Sequence, residues 1–427
     1  MKNVLLFHLE SVSNLIFRTN PDCFPNLIKF IRDAAYYPNY YSTATSTYMV
    51  ITDLFFGDNM QFEKSNDVED IFSIKPTKKS AFDKLFERGY KTKCYCFGFK
   101  AGEKAKEHAK VYCSKAECWE SPNDIDGMVE DLKDCFREDV HFAVFVQDLE
   151  SHWMNLEAFS DGKKSSYDLF MYKYKMLDRT FGRVLDALRE SGKYDDTLIV
   201  AYGDHGDDLW GHGLHEGYTH AIEPFPFLVN CPLVIKNGPE CDTKALISTL
   251  DLHDLIFSAS VVENISFCKK RNVLVSRNLF SSQHNCEESF NKSYMVTDGK
   301  YSLLVSGNGL RLFCNGIDPA CGRNMLDFFI LKGNKIVYNK SFDQLHSSHY
   351  KFFMTCNQVT EFENVFNTLF RELNNYVTNV YGTDNSKMDF CNIDYSDEVK
   401  NNEGLQLELS ARRIINTVKG FVKKIFR

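Results

Sequence analysis

Short apolar runs of strand length alternate with longer stretches of helical spacing through the first 235 residues. Val4 to Leu9 is a buried-strand pattern, and Phe24 to Ala35 has helical spacing with Pro25 as its start signal. Ser80 to Arg88 is helical in spacing and stops at Gly89, a C-cap residue. Lys91 to Phe97 and His141 to Val146 are further strand patterns, Tyr172 to Ser191 a long amphipathic helix, and Thr197 to Tyr202 another strand. This β-α-β alternation predicts an α/β fold with a mainly parallel sheet sandwiched by helices. Ligands in such sheets bind beyond the carboxyl ends of the strands, so the polar residues just after each strand carry the functional question.

The pattern changes from about Val273 onward. Tyr294 to Thr297, the turn Asp298-Gly299, and Tyr301 to Val305 predict a hairpin. Gly309 to Phe313 and Lys335 to Tyr338 are further strands, and Gln358 to Tyr381 is helical. The division expected is a catalytic α/β core at 1–270, a smaller C-terminal α+β region at 271–400, and a linker with a terminal helix at 401–427. That terminal stretch is distinctive. From Arg412 to Arg427 there are six basic residues and no acidic one, while Ile414, Val418, Phe421 and Ile425 share a helical face. A basic amphipathic helix suits an anionic membrane surface, here the inner leaflet. Docking against the protein itself is the alternative.

Composition narrows the picture. The 427 residues are 44% hydrophobic and 25% charged, ordinary globular values, and the net charge of −8 excludes a general nucleic-acid binder. Only Val4 to Phe7 are apolar in succession near the N-terminus, too short for a signal peptide, and no run of 18 apolar residues occurs. Fourteen cysteines are scattered without a Cys-x-x-Cys pair. The expectation is reduced thiols in a cytoplasmic protein, peripheral to the membrane through its tail.

Four polar clusters follow strand patterns. They are Glu10-Ser11, the run Ser42 to Thr47, Ser151-His152, and Gly203-Asp204-His205-Gly206, with His212, His215 and His220 close behind. Four of the twelve histidines fall within the sixteen residues from His205 to His220. Each piece alone is ordinary: a Glu after a strand is usually solvated, Asp-His-Gly is usually a turn, and a Ser/Thr cluster is usually a cap. Their succession after strands is what matters. Carboxylates and imidazoles at strand ends hold a divalent cation, and mixed oxygen and nitrogen ligands suit Mn²⁺ or Zn²⁺. A hydroxyl beside such an ion becomes a nucleophile near neutral pH, and further histidines protonate leaving groups.

From residue 3 to about residue 330 the chain resembles the sulfatase-type branch of the alkaline phosphatase superfamily. Within it the similarity is to phosphoethanolamine transferases and lipoteichoic acid synthases. Asn3 to Ser11 resembles the opening strand with its acidic metal ligand, Pro25-Asn26-Leu27 the start of the first helix, and Leu198 to Gly206 the strand that delivers adjacent Asp and His ligands. Pro232 to Ile235 and the segments around Asp298 and Leu310 resemble later parts of the family pattern. The resemblance implies Glu10, Thr45, Asp204 and His205 as metal ligands, Thr45 as nucleophile, and His152 and His220 as catalytic and substrate-binding residues. His215 is a further substrate-binding candidate, and His212 remains an alternative. Thr43-Ala44-Thr45 resembles the transferases' Thr-x-Thr. Counting back twelve residues from Gly57 gives Thr45, whereas the ten-residue sulfatase spacing gives Thr47 as the alternative nucleophile. Tyr41 to Val50 contains no Cys, Pro or Arg, so the Cys/Ser-x-Pro-x-Arg motif of formylglycine sulfatases is missing.

The resemblance therefore implies a metal-dependent transferase with Mn²⁺ as first choice and Zn²⁺ or Mg²⁺ as alternatives. It would move a phospho-alcohol group from a phosphodiester donor, a phospholipid head group or a nucleotide-activated alcohol, to a glycan or glycolipid through a phospho-threonine. A phosphodiesterase or phosphatase with the same site is the alternative, and a sulfatase the weaker one.

Overall fold

Seven consecutive buried residues, Asn3–Leu9, form β1 at the centre of the main sheet. The computed structural model describes residues 1–60, 76, 78–119, 121, 124–149, 151–152, 166–209, 218–220, 223–261, 267–278, 293–306, 309–332, 335–338 and 359–381. The tail at 412–427, His212 and His215 lie outside them.

The main sheet adds β2 (Ala35–Tyr36), β3 (Lys91–Phe97), β4 (Glu117–Cys118), β5 (Phe142–Asp148), β6 (Thr197–Gly203) and β7 (Leu233–Lys236), in the order β2-β7-β6-β1-β5-β3-β4. The run from β6 to β4 is parallel, and β7 and β2 close one side antiparallel. Buried on both faces, the central strands read as near-continuous apolar runs because helices cover each side. One face packs Val4, Leu6 and Phe145 against the helices Thr47–Phe56 and Thr249–Ser258. The other packs Leu5, Phe7 and Val144 against the helices Ile125–Arg137 and Ser166–Glu190. The expected helix to Ala35 ends at Ile31 instead, because Ala35 and Tyr36 pair with Ile235 and Val234 on the sheet edge.

Register is what positions the site. Leu9 lies opposite Asp148 on one neighbour and Gly203 on the other, so the residues leaving all three strands emerge side by side. A β-carbon on Gly203 would sit 2.4 Å from the Val12 carbonyl, so the close crossing of the β1 exit over β6 requires glycine.

A second sheet is antiparallel in chain order: β8 (Leu274–Asn278), β9 (Ser293–Thr297), β10 (Tyr301–Ser306) and β11 (Gly309–Cys314). The hairpin turn between β9 and β10 forms as expected, with Asp298 Oδ1 accepting from the Lys300 and Tyr301 N–H groups and Gly299 at φ +89°. The helix Val359–Tyr381 covers this sheet through Phe366, Leu369, Leu373 and Val377. Met49 and Val50 enter the same cluster, while Ile51, Leu54 and Phe55 belong to the main core. Beyond Thr47 the helix Thr47–Phe56 is thus buried on all sides, wedged between the two sheets.

The expectation that every cysteine is a reduced thiol needs correction. Cys241 and Cys268 form a disulfide, their Cα atoms 6.1 Å apart, a pairing across 27 residues that no local spacing signals. No helix among the described residues is long and apolar enough to cross a membrane.

Candidate active site

His8 and Glu10 are two residues apart at the end of an extended strand and so point to the same face. Both are fully buried. Ser11, immediately after, takes a left-handed conformation at φ +56°, which a non-glycine residue holds at a cost of about 1 kcal/mol. The turn is fixed from several sides. The Ser11 N–H donates to Asp204 Oδ1 at 3.0 Å, its hydroxyl to Glu10 Oε1 at 3.1 Å, and its carbonyl accepts from the Tyr174 hydroxyl at 3.0 Å. Glu10 and Asp204, contributed by different strands, are locked beside each other.

Around them the donor atoms converge. His8 Nε2 lies 3.2 Å from Asp204 Oδ2 and 3.5 Å from Glu10 Oε2, and His205 Nε2 lies 3.1 Å from Asp204 Oδ2. The Thr47 hydroxyl is 2.9 Å from His205 Nε2 and 3.3 Å from Glu10 Oε1. His205 Nδ1 meets the Gly206 carbonyl at 3.1 Å; a carbonyl only accepts, so Nδ1 carries the proton and Nε2 presents its lone pair. Thr47 opens the helix Thr47–Phe56, and the Ser46 side chain caps none of its first-turn N–H groups. A helix N-terminus there favours an anionic ester in front of the hydroxyl.

Three imidazoles line up beyond this cluster. His205 stacks on His220 at 4.4 Å between ring centroids, and His152 meets His220 edge-on at 5.2 Å. His220 Nδ1 donates to Asp207 Oδ1 at 2.8 Å. The Ser151 hydroxyl donates to the Glu10 carbonyl at 2.9 Å, which draws the turn bearing His152 onto the β1 exit.

The electrostatics are polarised. Burial, then the charges of Asp204 and Asp207, pushes the Glu10 carboxyl well above its usual range. Burial also pushes Asp204 up, but the His205 and His8 imidazoles outweigh it and hold that carboxyl below its ordinary value. Burial lowers His205 to about 4 and, with the charges of His220 and His205, drives His152 well below the ordinary histidine value. These two rings are therefore neutral at pH 7, able to ligate a metal or accept a proton.

Of the residues singled out in the sequence, Glu10, Thr47, Asp204, His205, His220 and His152 converge here. Thr45 is buried two residues before Thr47. The Thr47 hydroxyl touches both Glu10 and His205. Sequence reasoning passed over His8 and Asp207. His8 sits inside the strand pattern, and its two-residue spacing from Glu10 was the available signal; Asp207 follows Asp204 at the same strand end.

Comparison with known proteins places the chain. The Sulfatase family model matches residues 2–259, more than half of the sequence. The chain belongs to the Sulfatase family. No curated protein matches it in a sequence comparison. Among solved structures it is similar to BT1596, a 2-O GAG sulfatase, at 14% identity and a TM-score of 0.61, covering 92% of this chain and 94% of that one. It is also similar to the lipoteichoic acid synthase LtaP from Listeria monocytogenes, at 13% identity and a TM-score of 0.51 over 86% and 92% of the two chains. A protein of the alkaline phosphatase superfamily from Vibrio parahaemolyticus matches at 16% identity and a TM-score of 0.51, over 73% and 79%. At these identities the structural likeness concerns the fold: a sulfatase/alkaline phosphatase sheet with a small antiparallel sheet after it.

Members of this fold family usually hold a divalent cation, and the residues of this Sulfatase-family chain fit one. His8, Glu10 and Asp204 each offer a ligand atom within 4.8 Å of the others, as do His205, Asp207 and His220. Glu10 Oε2, Asp204 Oδ2 and Asp207 Oδ2 are buried without a hydrogen-bond partner among the described residues. Buried carboxylate oxygens are costly when unpaired, and convergent ones are what a cation neutralises.

Proposed function

We propose that this Sulfatase-family protein is a metal-dependent phosphotransferase that uses the Thr47 hydroxyl as its nucleophile. The observation that carries the reading is the Thr47 Oγ1 contact to both Glu10 and His205 at the start of a buried helix. Its neighbours Tyr41 to Val50 include no cysteine that could be matured to formylglycine. Between the two threonines weighed from spacing, these contacts favour Thr47 over Thr45.

A divalent cation held by Glu10, Asp204 and His205 would supply positive charge beside the hydroxyl and the ester oxygens. The imidazole and carboxylate donors favour Mn²⁺ or Zn²⁺. The Thr47 proton passes to Glu10 Oε1, the carboxylate oxygen in contact with it, and returns from there when Thr47 leaves phosphorus. Oγ1 then forms a bond to phosphorus as the bond from phosphorus to the donor's alcohol oxygen breaks. His220, oriented by Asp207, gives that oxygen its proton. In the second half an acceptor hydroxyl attacks the phospho-threonine, its proton returns to the imidazole, and Thr47 is restored. We propose a phosphodiester donor, a phospholipid head group or nucleotide-activated alcohol, and a glycan or glycolipid acceptor. The six basic residues between Arg412 and Arg427, with no acidic one among them, support donor capture at an anionic membrane surface.

The test is turnover of bis(4-nitrophenyl) phosphate and of 4-nitrophenyl sulfate with added Mn²⁺, for wild type, Thr47→Ala and Thr45→Ala. Phosphodiester cleavage that falls at least about 10³-fold in Thr47→Ala alone supports the proposal. Loss confined to Thr45→Ala would move the nucleophile to Thr45. Cleavage of the sulfate but not the phosphodiester would overturn the transferase reading.

A further inference from the structure

The imidazole of His8 is fully buried in the central strand, and neither ring nitrogen has a hydrogen-bond partner among the described residues. It lies beside the rings of Tyr202, 5.5 Å away, and Phe145, 6.5 Å away. Buried polar groups ordinarily find partners, so an imidazole kept in such a place calls for a reason.

The geometry supplies one. Nε2 converges on Glu10 Oε2 and Asp204 Oδ2, two carboxylate oxygens that also lack hydrogen-bond partners among the described residues. Ligands held at about 2.0–2.2 Å from one ion stand about 3.0–3.5 Å from each other, and the separations of His8 Nε2 from Asp204 Oδ2, 3.2 Å, and from Glu10 Oε2, 3.5 Å, are of that size.

We infer that His8 is a protein ligand of the cation, through Nε2, and that it sets which cation the site selects. With His205 it makes two imidazole nitrogens in the donor set. Two nitrogens move the preference away from Ca²⁺ and Mg²⁺, which take oxygen ligands, toward Zn²⁺, Mn²⁺ and Co²⁺. The inference rests on Glu10 and Asp204 holding a cation at all, and the experiment separates the two.

The protein is stripped of metal and titrated with Zn²⁺ and Ca²⁺ against a chromogenic chelator, and with Co²⁺ by visible absorption. Wild type, Glu10→Gln, His8→Phe and His8→Asn are compared. Expected are stoichiometric Zn²⁺ binding by wild type, a loss of at least about 10-fold in Zn²⁺ affinity in both His8 variants, little change for Ca²⁺, and an altered Co²⁺ spectrum. A purely structural imidazole predicts instead an unchanged Zn²⁺ affinity and an unchanged Co²⁺ spectrum in both His8 variants.

Failure has separate signatures. If wild type binds no cation, the metal-dependent reading falls and His8 with it. If Glu10→Gln abolishes Zn²⁺ binding while both His8 variants bind Zn²⁺ as wild type with an unchanged Co²⁺ spectrum, the His8 inference alone is overturned. Should the variants not fold, X-ray absorption of His220→Ala with one equivalent of Zn²⁺ decides, because the group of His205, Asp207 and His220 then offers one imidazole only. Two imidazoles on zinc support the assignment, and fewer than two overturn it.

Discussion

Arg277 and Asp53 face each other fully buried, Nη1 to Oδ2 at 2.8 Å and Nη2 to Oδ1 at 3.0 Å. Arg277 lies on β8 of the second sheet, Asp53 on the helix that begins with Thr47. The same guanidinium donates to Asn59 Oδ1 and the Met60 carbonyl, and the Arg277 backbone N–H donates to the Thr43 carbonyl at 2.8 Å. One residue of the second sheet therefore holds both ends of the segment carrying the proposed nucleophile. This is how a sheet remote from the main strands takes part in the site.

Removing one member of such a pair leaves a buried charge alone. Arg277→Met is expected to cost about 3–5 kcal/mol, measured by urea unfolding, and Asp53→Leu in the same chain should restore a large part of it. Equal stability of Arg277→Met and wild type would mean the pair is incidental. Arg277→Lys should rescue poorly, because an ammonium cannot reproduce the two-pronged contact.

Asp207 acts through His220. Its carboxylate accepts from His220 Nδ1 and so keeps Nε2 as the nitrogen that exchanges protons. Asp207→Asn is expected to lower turnover by about 10²–10⁴-fold with an unchanged melting temperature. Turnover equal to wild type in Asp207→Asn would show that the carboxylate does not orient His220 for proton transfer.

Much of this was legible in the sequence because the main strands are buried on both faces. Asn3–Leu9 and Thr197–Gly203 appear as largely apolar runs, and the residues just past them, Glu10-Ser11 and Asp204-His205, are the polar ones that meet in space. The hairpin at Asp298-Gly299 was readable from its turn chemistry alone. Spacing pointed to Thr45 with Thr47 as the alternative, and it does not carry where the helix starts relative to the Glu10 and His205 side chains, which the Thr47 hydroxyl touches. His8 was hidden for a related reason. A histidine within a strand pattern reads as an interruption of apolar residues until the register with β6 brings Asp204 alongside it. The Cys241–Cys268 pairing is a tertiary fact with no local sign.

Metal removal should be visible in stability. Glu10 Oε2 and Asp204 Oδ2 are convergent and buried, so a cation held there would bind the folded state and not the unfolded one. At a free Mn²⁺ concentration 100-fold above its Kd the gain is about 2.7 kcal/mol. Melting in EDTA is therefore expected several degrees below melting in excess Mn²⁺, with full recovery on adding the ion back. Glu10→Gln should melt at the same temperature in both conditions. A wild-type protein indifferent to EDTA and Mn²⁺ would contradict the metal-site assignment.

His253 gives a pH prediction independent of the metal residues. Its Nδ1 donates to the Phe55 carbonyl at 3.0 Å, and its Nε2 accepts from Lys84 Nζ at 3.0 Å. A carbonyl cannot donate and an ammonium cannot accept, so the ring is required neutral. Burial first, then the Lys84 charge, holds its pKa below the ordinary histidine value. Above about pH 6.5 the ring is neutral in both folded and unfolded chains and has no effect on pH dependence. As pH falls below that value the unfolded chain takes up the proton first, so folded stability drops, by up to about 1.4 kcal/mol per pH unit, until the lowered folded pKa is reached. His152 and His205, also held neutral by burial, act in the same direction. His253→Gln can keep both contacts, its amide N–H donating to Phe55 and its oxygen accepting from Lys84, while removing the titration. Its melting temperature should match wild type at pH 7.5 and fall less steeply between pH 6.5 and 5, measured in EDTA. Parallel wild-type and variant curves across that range would show that His253 is not held neutral by this contact pair.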